Sequence, residues 1–392
     1  MGPLKFRHCS VVRVSGCKLT TGEQDAILAH EDAPFPALNR GHMKLSRPVR
    51  FPAALCLLLP VVSLLAFQTA GGYHLLDKIS FGAAEGGIEY FDYITFDAAA
   101  RHAYLSHGTE VIVVDADSGA TIGKITGLNR CHGIALVPEL GRGFISDGDA
   151  GEAVIFDLKT LKSLGQVKAD SDADSILYDP ASKRVFVFNG NPKSSTVIDP
   201  AKGTVLTTLQ LGGSPEQAVA DGNGTIFDNL EDTNEVIAID AKALKIKARW
   251  PVAPGGRPVS MAMDRQHRRL FIGCRNPKVL LVMDANTGKI IGPPFPIGDR
   301  VDTNVFDAQT AIAAASTREG TIHLIHEDSP NQFRAVETVK SEFGAKTMAL
   351  DPKTHNLLVD TADFETPSPT AKQPNPQPRP KPGSFRLLIY GR

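Results

Sequence analysis

The sequence predicts an all-β chain: a seven-bladed β-propeller of four-stranded blades, its ring closed by an N-terminal strand that joins the C-terminal blade. Three observations predict it: a repeat with a steady period, strand-and-turn chemistry inside each repeat, and chain ends that complete one another. The repeat carries two landmarks. The first is an apolar run ending in Asp or a substitute, at Asp97, Val137, Asp179, Asp221, Asp264, Asp307 and Asp351, at intervals of 40 to 44 residues. The second run ends at Asp115, Asp157, Asp199, Asp240, Asp284 and His326, at intervals of 41 to 44. Two independent landmarks drifting together mark a structural repeat, and ~42 residues holding four short strands is the size of one propeller blade.

Taken in chain order, residues 1–42 show no periodicity and read as an over-extended gene start, or as a disordered segment where they are made. Met43 is the better-placed start. Residues 43–70, MKLSRPVRFPAALCLLLPVVSLLAFQTA, read as a signal peptide, with Lys44, Arg47 and Arg50 as its basic region and 51–67 as its apolar stretch. Pro60 interrupts that stretch, which is also shorter than the ~20 residues a spanning helix needs. Cleavage near Ala70 makes the expected location the bacterial periplasm or the extracellular space. Gln68 is a poor match to the small residue expected before the cleavage point, so an uncleaved anchor is the alternative, and the one membrane contact expected.

Residues 71–392 are expected to form one closed domain. Within each repeat Val, Ile, Leu and Phe fall in runs of four to six, and Gly, Asp, Asn and Pro stand between them. Runs such as VFVF (185–188) and VLLVM (279–283) are apolar on both faces, as a blade packed between two neighbours requires. The last repeat begins at Gly344 and supplies strands up to FRLLIYGR (385–392), with no fourth strand after them. YHLLDKISFG (73–82) is the missing strand, and placing it there hides the open seam of the ring.

The stretch VFVFNGNPKSSTVIDPAKGTVLTTLQLGGSPEQAVAD (185–221) resembles the YVTN repeat of YncE-like β-propellers: a V-Y-V-T-N-like strand, a V-I-D-T-x-T-G-like turn and a G-x-x-P corner. AYLSHG (103–108), GFISDG (143–148) and LFIGCRN (270–276) are looser copies. The similarity covers 73–392 apart from an insertion in blade seven. It implies the propeller fold and says little about function, because propellers of this kind differ widely in what they bind. It supplies no catalytic motif.

Charge and motif narrow the function classes. The first 70 residues carry eight of the 42 basic and four of the 43 acidic residues, which leaves 34 against 39 and a net charge of −5. That balance makes nucleic acid an unexpected partner. Cys9, Cys17 and Cys56 lie in the leader; Cys131 and Cys274 fall in blades two and five, too far apart around the ring for a mutual disulfide. Leu128 stands where C-x-x-C-H needs its first cysteine, so Cys131-His132 excludes covalent c-type haem. No nucleophile elbow, P-loop or H-E-x-x-H occurs. His323 and His326, three apart on a strand, face opposite sides.

The positive signal comes from stacking the repeats. Five residues before each first landmark stand Asp92, His132, Asp174, Glu216, Val259, Asp302 and Lys346; six of these seven are ionisable in a chain that is 22% charged. Innermost strands start on the face carrying the blade-to-blade connections, so this column should ring one mouth of the central channel. Loops between the second and third strands emerge on the same face and bring His107, Asp147, Asn189, Asn229, Cys274 and Arg275, a second polar layer. Arg257 lies two residues before Val259. The ring reads either as side chains that solvate a water-filled mouth or as a ligand site for a small molecule or protein partner. No cofactor is evident. Asp92, Asp174, Glu216 and Asp302 are candidate metal ligands, a subset of them with water suiting a hard cation such as Ca²⁺. His132 beside Asp92 or Asp174 is the candidate base if the chain is instead an enzyme of lactonase or oxidoreductase type.

The insertion in blade seven, 365–384, holds seven prolines between 367 and 382 and should be an extended loop on the mouth face. It is a passive surface loop or a docking segment charged by Lys372, Arg379 and Lys381. The reading as a whole is an exported, YncE-like monomer acting as a non-enzymatic binding or scaffold module.

Overall fold

The computed structural model describes residues 71–369 and 375–392, so the leader expectations for 1–42 and 43–70, with Cys9, Cys17 and Cys56, lie outside the described residues. Seven antiparallel four-stranded sheets follow one another as blades. Six are built from consecutive strands, with inner strands Phe91–Asp97, Cys131–Val137, Ala173–Asp179, Pro215–Ala220, Pro258–Asp264 and Val301–Asp307. The seventh runs inward to outward through Met348–Leu350, Leu357–Thr361, Arg386–Gly391 and His74–Ser80. The first strand described therefore closes the ring as expected: His74 pairs with Gly391 and Ser80 with Arg386. Among the described residues helix is confined to two single turns, and no helix is long and apolar enough to cross a membrane.

Burial follows position in the blade. In blade three the second and third strands, Arg184–Asn189 and Ser194–Asp199, are buried along nearly their whole length, whereas the outer strand Thr204–Gln210 is mostly exposed. Apolar side chains collect in seven clusters, each between neighbouring blades. Tyr104 and Val113 of blade one, for example, pack on Ile145 and Phe156 of blade two. The core is thus a ring of interfaces, which is why the second and third strands show no alternation in sequence.

The landmark aspartates are turn caps. Asp97, Asp264 and Asp351 each accept a backbone N–H two residues on, at 3.0, 2.9 and 2.9 Å, and Asp199 and Asp284 do the same after the third strand at 3.0 and 2.9 Å. The two substitutes have local reasons. After Val137 the turn is the 3₁₀ segment Pro138–Leu140 ending on Gly141 at φ 61°. At His326 no turn is needed, because that strand runs on from Thr321 to Ser329.

One irregularity positions the site. In the first six blades the pairing between first and second strands shifts register near the start of the inner strand, between Phe91 and Ile94, Cys131 and Ile134, Ala173 and Ile176, and their equivalents. Each bulge leaves one extra residue out of the ladder, and Asp92, His132, Asp174, Glu216, Val259 and Asp302 fall within these bulges. A bulge bends the strand and re-aims its side chains.

Candidate functional site at the channel mouth

The bulges bring the column together at one mouth, and its charges divide into two groups. In blades one to three, His132 sits between carboxylates: its Nδ1 lies 2.8 Å from Asp92 Oδ2 and 3.0 Å from Asp174 Oδ1. The Tyr90 hydroxyl donates to Asp92 Oδ2 at 2.6 Å and lies 3.1 Å from the same ring nitrogen. Arg130 covers the Tyr90 ring, its guanidinium 4.7 Å from the centroid. Burial opposes the charge on His132, but Asp174 and Asp92 overcome it and raise the imidazolium to about 10. Burial likewise opposes ionisation of Asp92, yet Lys346 and His132 hold its carboxyl well below the ordinary carboxylate value. Asp174 moves upward because burial outweighs His132. The resulting unit is an imidazolium locked between two acids.

In blades five to seven the column meets arginines. Lys346 Nζ bridges Asp302 at 2.6 Å and Asp92 at 3.0 Å, joining the two groups. Burial opposes its charge, and the two carboxylates nonetheless hold its ammonium above the ordinary lysine value. Arg275 pairs with Asp302 and donates to the Val301 carbonyl at 3.1 Å; Arg257 pairs with Glu231 at 2.7 Å. Between them the mouth opens into a recess of about 670 Å³, walled by Arg257, Arg275, Arg300, Arg318 and Lys346, with Asp299, Asp302 and Tyr90 completing it. A smaller groove of about 320 Å³ continues past Arg300 and Arg318 to Phe343 and to Gln377 and Pro378 of the proline-rich insertion. That insertion is held at its base by a short ladder pairing Phe364 with Pro380 and Glu365 with Arg379; Lys372 lies outside the described residues.

Several sequence expectations change here. His107, Asp147 and Asn189 are the last residues of their second strands, and Asn229 is the last but one, so none is in a loop; all four are buried. His107 stacks on Phe385 at 4.2 Å and meets Glu89 at 3.0 Å; Asp147 accepts the Asn129 N–H at 2.7 Å. Asn189 bonds Ser194 and Thr196 at 3.1 Å each, and Cys274 is buried and unpaired in blade five. These groups fasten the mouth loops from beneath and form no second polar layer open to a ligand. Of the anticipated strand-end residues only Arg275 reaches the recess.

The four candidate metal carboxylates do not converge. Asp92 and Asp174 share His132, Asp302 belongs to Lys346 and Arg275, and Glu216 makes no side-chain hydrogen bond among the described residues. Burial first, then Asp174 and Glu231, pushes Glu216 well above its ordinary value. Ligand-type atoms that do cluster within 4.8 Å belong to Asp92, His132 and Asp174. A cation there must displace the proton that His132 Nδ1 shares with both acids, and metal ligation requires that nitrogen neutral. At the far end of the channel strands, Asp264, His267 and Glu327 form a comparable group, with His267 Nδ1 2.7 Å from Asp264 and 2.9 Å from Glu327.

Tyr90, Tyr93, Glu231, Arg300 and Arg318 were not anticipated. All four column carboxylates act on the Tyr93 phenol, which burial and then those charges push well above its ordinary value. Two further stackings reveal the others. Two residues before the column stand Tyr90, Arg130, Asp172, Ser214, Arg257, Arg300 and Gly344. At the ends of the second strands stand Gly108, Gly148, Gly190, Glu231, Arg275, Arg318 and Ala362, Arg275 as the last strand residue and the others one step beyond.

No family model and no curated protein matches the chain. Solved structures do. The crystal structure of the RRP9 WD40 repeats superposes with a TM-score of 0.65 at 8% identity, over 81% of this chain and 100% of that one. The structure of U3-55K gives a TM-score of 0.65 at 9% identity, over 81% and 99%. Identity this low speaks to the fold alone, a seven-bladed propeller.

Proposed function

We propose that this chain is an exported, YncE-like propeller that works as a non-enzymatic binding module, taking a polar ligand or a partner segment at the channel-mouth face. One observation carries the reading: the mouth opens a recess of about 670 Å³ whose walls are charged side chains from blades five to seven with Tyr90 of blade one. The YncE-like identity rests on the strand–turn–corner pattern of 185–221, and export on the leader 43–70. A lactonase or oxidoreductase would use His132 as base, and a histidine that keeps its proton up to about 10 is a poor base at neutral pH.

The test is a thermal-shift screen of polar metabolites, peptides and Ca²⁺ against wild type and an Arg275→Gln/Asp302→Asn double variant, which removes both members of one pair and leaves Lys346 to Asp92 and Glu231 to Arg257. A ligand at 100 times its Kd adds about 2.7 kcal/mol, and that gain should disappear in the variant. A screen without any shift for wild type leaves only a solvated mouth. Intact-mass measurement of the mature protein, expected to begin near residue 71, tests export.

A further inference from the structure

The basic side of the mouth holds more positive charge than its neighbours neutralise. Lys346 is taken by Asp92 and Asp302, Arg275 by Asp302 and Glu231, and Arg257 by Glu231. Asp299, the remaining wall carboxylate, pairs with Lys278 at 3.1 Å. Arg300 and Arg318 have no carboxylate partner among the described residues. Of the insertion's own residues outside the described range, 370–374 (TAKQP), none is acidic.

The two arginines are neighbours by construction. Val301 pairs with Thr317, and the Arg318 N–H donates to the Arg300 carbonyl at 3.1 Å, so both stand one step beyond the same rung at the rim. Arg318 is half-buried with its guanidinium 5.4 Å from the Phe364 ring centroid, and its Nε–H is buried with no acceptor. A charged donor left unsatisfied in this way is costly, so Arg318 is not held at the rim by hydrogen bonds at its Nε. Arg300 sits at φ 54°, in the left-handed region where Gly is the least strained residue; blade seven has Gly344 at the equivalent place. Arg130, Asp172 and Arg257 share that conformation at their equivalent places. What sets Arg300 apart is that it stands beside a second arginine without a carboxylate partner among the described residues. Two such guanidinium forks at adjacent rim positions suit bidentate acceptors.

We propose that Arg300 and Arg318 clamp an oxyanion, the carboxylate or phosphate group of whatever the mouth binds. The inference rests on the binding-module reading and gives its ligand a charge: the recess takes an anion, whereas the ring's carboxylates suggested a cation. The floor of the recess supplies Lys346 and Arg275 already balanced by Asp302. The two rim arginines therefore discriminate ligands by charge. Carboxylate and phosphate share the recognised chemistry and differ in the number of oxygens they present.

The test is calorimetric titration of the full chain with inorganic phosphate and with malonate at constant ionic strength, with chloride as reference. Saturable binding of at least one anion is expected. Tighter phosphate would identify a phosphate-bearing ligand and tighter malonate a carboxylate. Arg318→Gln and Arg300→Gly should each weaken binding at least tenfold and together abolish it. Because Gly is the less strained residue at position 300, Arg300→Gly should also melt no lower than wild type, which separates lost binding from lost folding. If neither anion binds saturably, or the double variant binds as wild type does, the clamp is refuted. Should the anions fail while the thermal-shift screen finds a ligand lost in Arg275→Gln/Asp302→Asn, the clamp alone falls; failure of both also removes the binding reading.

Discussion

The two sides of the channel mouth use one scaffold in opposite ways. In blades one to three the residue after the second strand is glycine, and in blades two and three the space left is taken by His132 of the column and by Asp172, two residues before it. A Cβ at Gly148 would lie 2.7 Å from His132 Nε2, and one at Gly190 2.5 Å from Asp172 Oδ2. Blades four to six carry Glu231, Arg275 and Arg318 at the equivalent place, and beside Arg275 and Arg318 the mouth stays open as a recess. The closed side pairs its charges internally, Asp92 against His132 and Lys346, although His132 Nε2 is buried without an acceptor, while the open side leaves two guanidiniums without a carboxylate partner among the described residues. A closed cluster and an open recess can thus be made from equivalent positions of a repeat, the difference being whether a Cβ is present.

The largest expected effect lies on the closed side. His132→Ala leaves Asp92 and Asp174 facing each other in a buried site, and breaking such a unit by removing one partner costs about 3–5 kcal/mol. Urea unfolding should show a loss of that order. A smaller loss would mean that the side is solvated and the division between the halves is weaker than drawn. Lys346→Met severs the bridge between the halves and bares Asp92 and Asp302; partial solvation should limit the cost to about 2–3 kcal/mol.

Titration sharpens the comparison next. Folding raises His132 from 6.5 to about 10, so its stabilising contribution is complete below pH 6.5 and is lost as pH climbs through about 10. Wild type should lose up to about 1.4 kcal/mol per pH unit across that window, and His132→Gln should not. Glu327, at the other end of the channel, is raised from 4.5 to about 7, chiefly by burial and then by Asp264. Its contribution is present below pH 4.5 and disappears as pH rises through about 7, so the two windows meet near neutrality and Glu327→Gln removes only the lower one. The smallest effect belongs to the open side: Arg300→Gly should leave unfolding unchanged or raise stability by about 1 kcal/mol. A clear destabilisation would show that Arg300 is a structural residue.

Fold and site were unequally legible in the sequence. The 40–44-residue landmarks are visible because each blade needs the same turn cap, and Asp97, Asp264 and Asp351 still perform it. Ring closure was readable because YHLLDKISFG has no partner anywhere else in the repeat count. The column was readable too, since bulges at one position of the first six blades leave a residue that packing does not dictate. What escaped was pairing across the channel. Sequence places Tyr93 on the face opposite Asp92, and the bulge turns it toward the same carboxylates. His107 and Asn189 look like loop polars by composition. Their burial depends on segments remote in sequence, Glu89 and Phe385 for His107, which no local pattern announces. Arg300 and Arg318, 18 residues apart, become adjacent only through the Val301–Thr317 rung.

The closing ladder has a mechanical side. Its strands are antiparallel, with His74 opposite Gly391 at one end and Ser80 opposite Arg386 at the other, so the chain enters and leaves the ring at the same end of one ladder. Tension drawn between those two points would load the rungs one at a time, starting from His74 and Gly391, and would not shear them all together. A ring that is well sealed against thermal fraying therefore carries a peelable seam, and a motor that grips either tail would begin unfolding blade seven before any other blade feels the force.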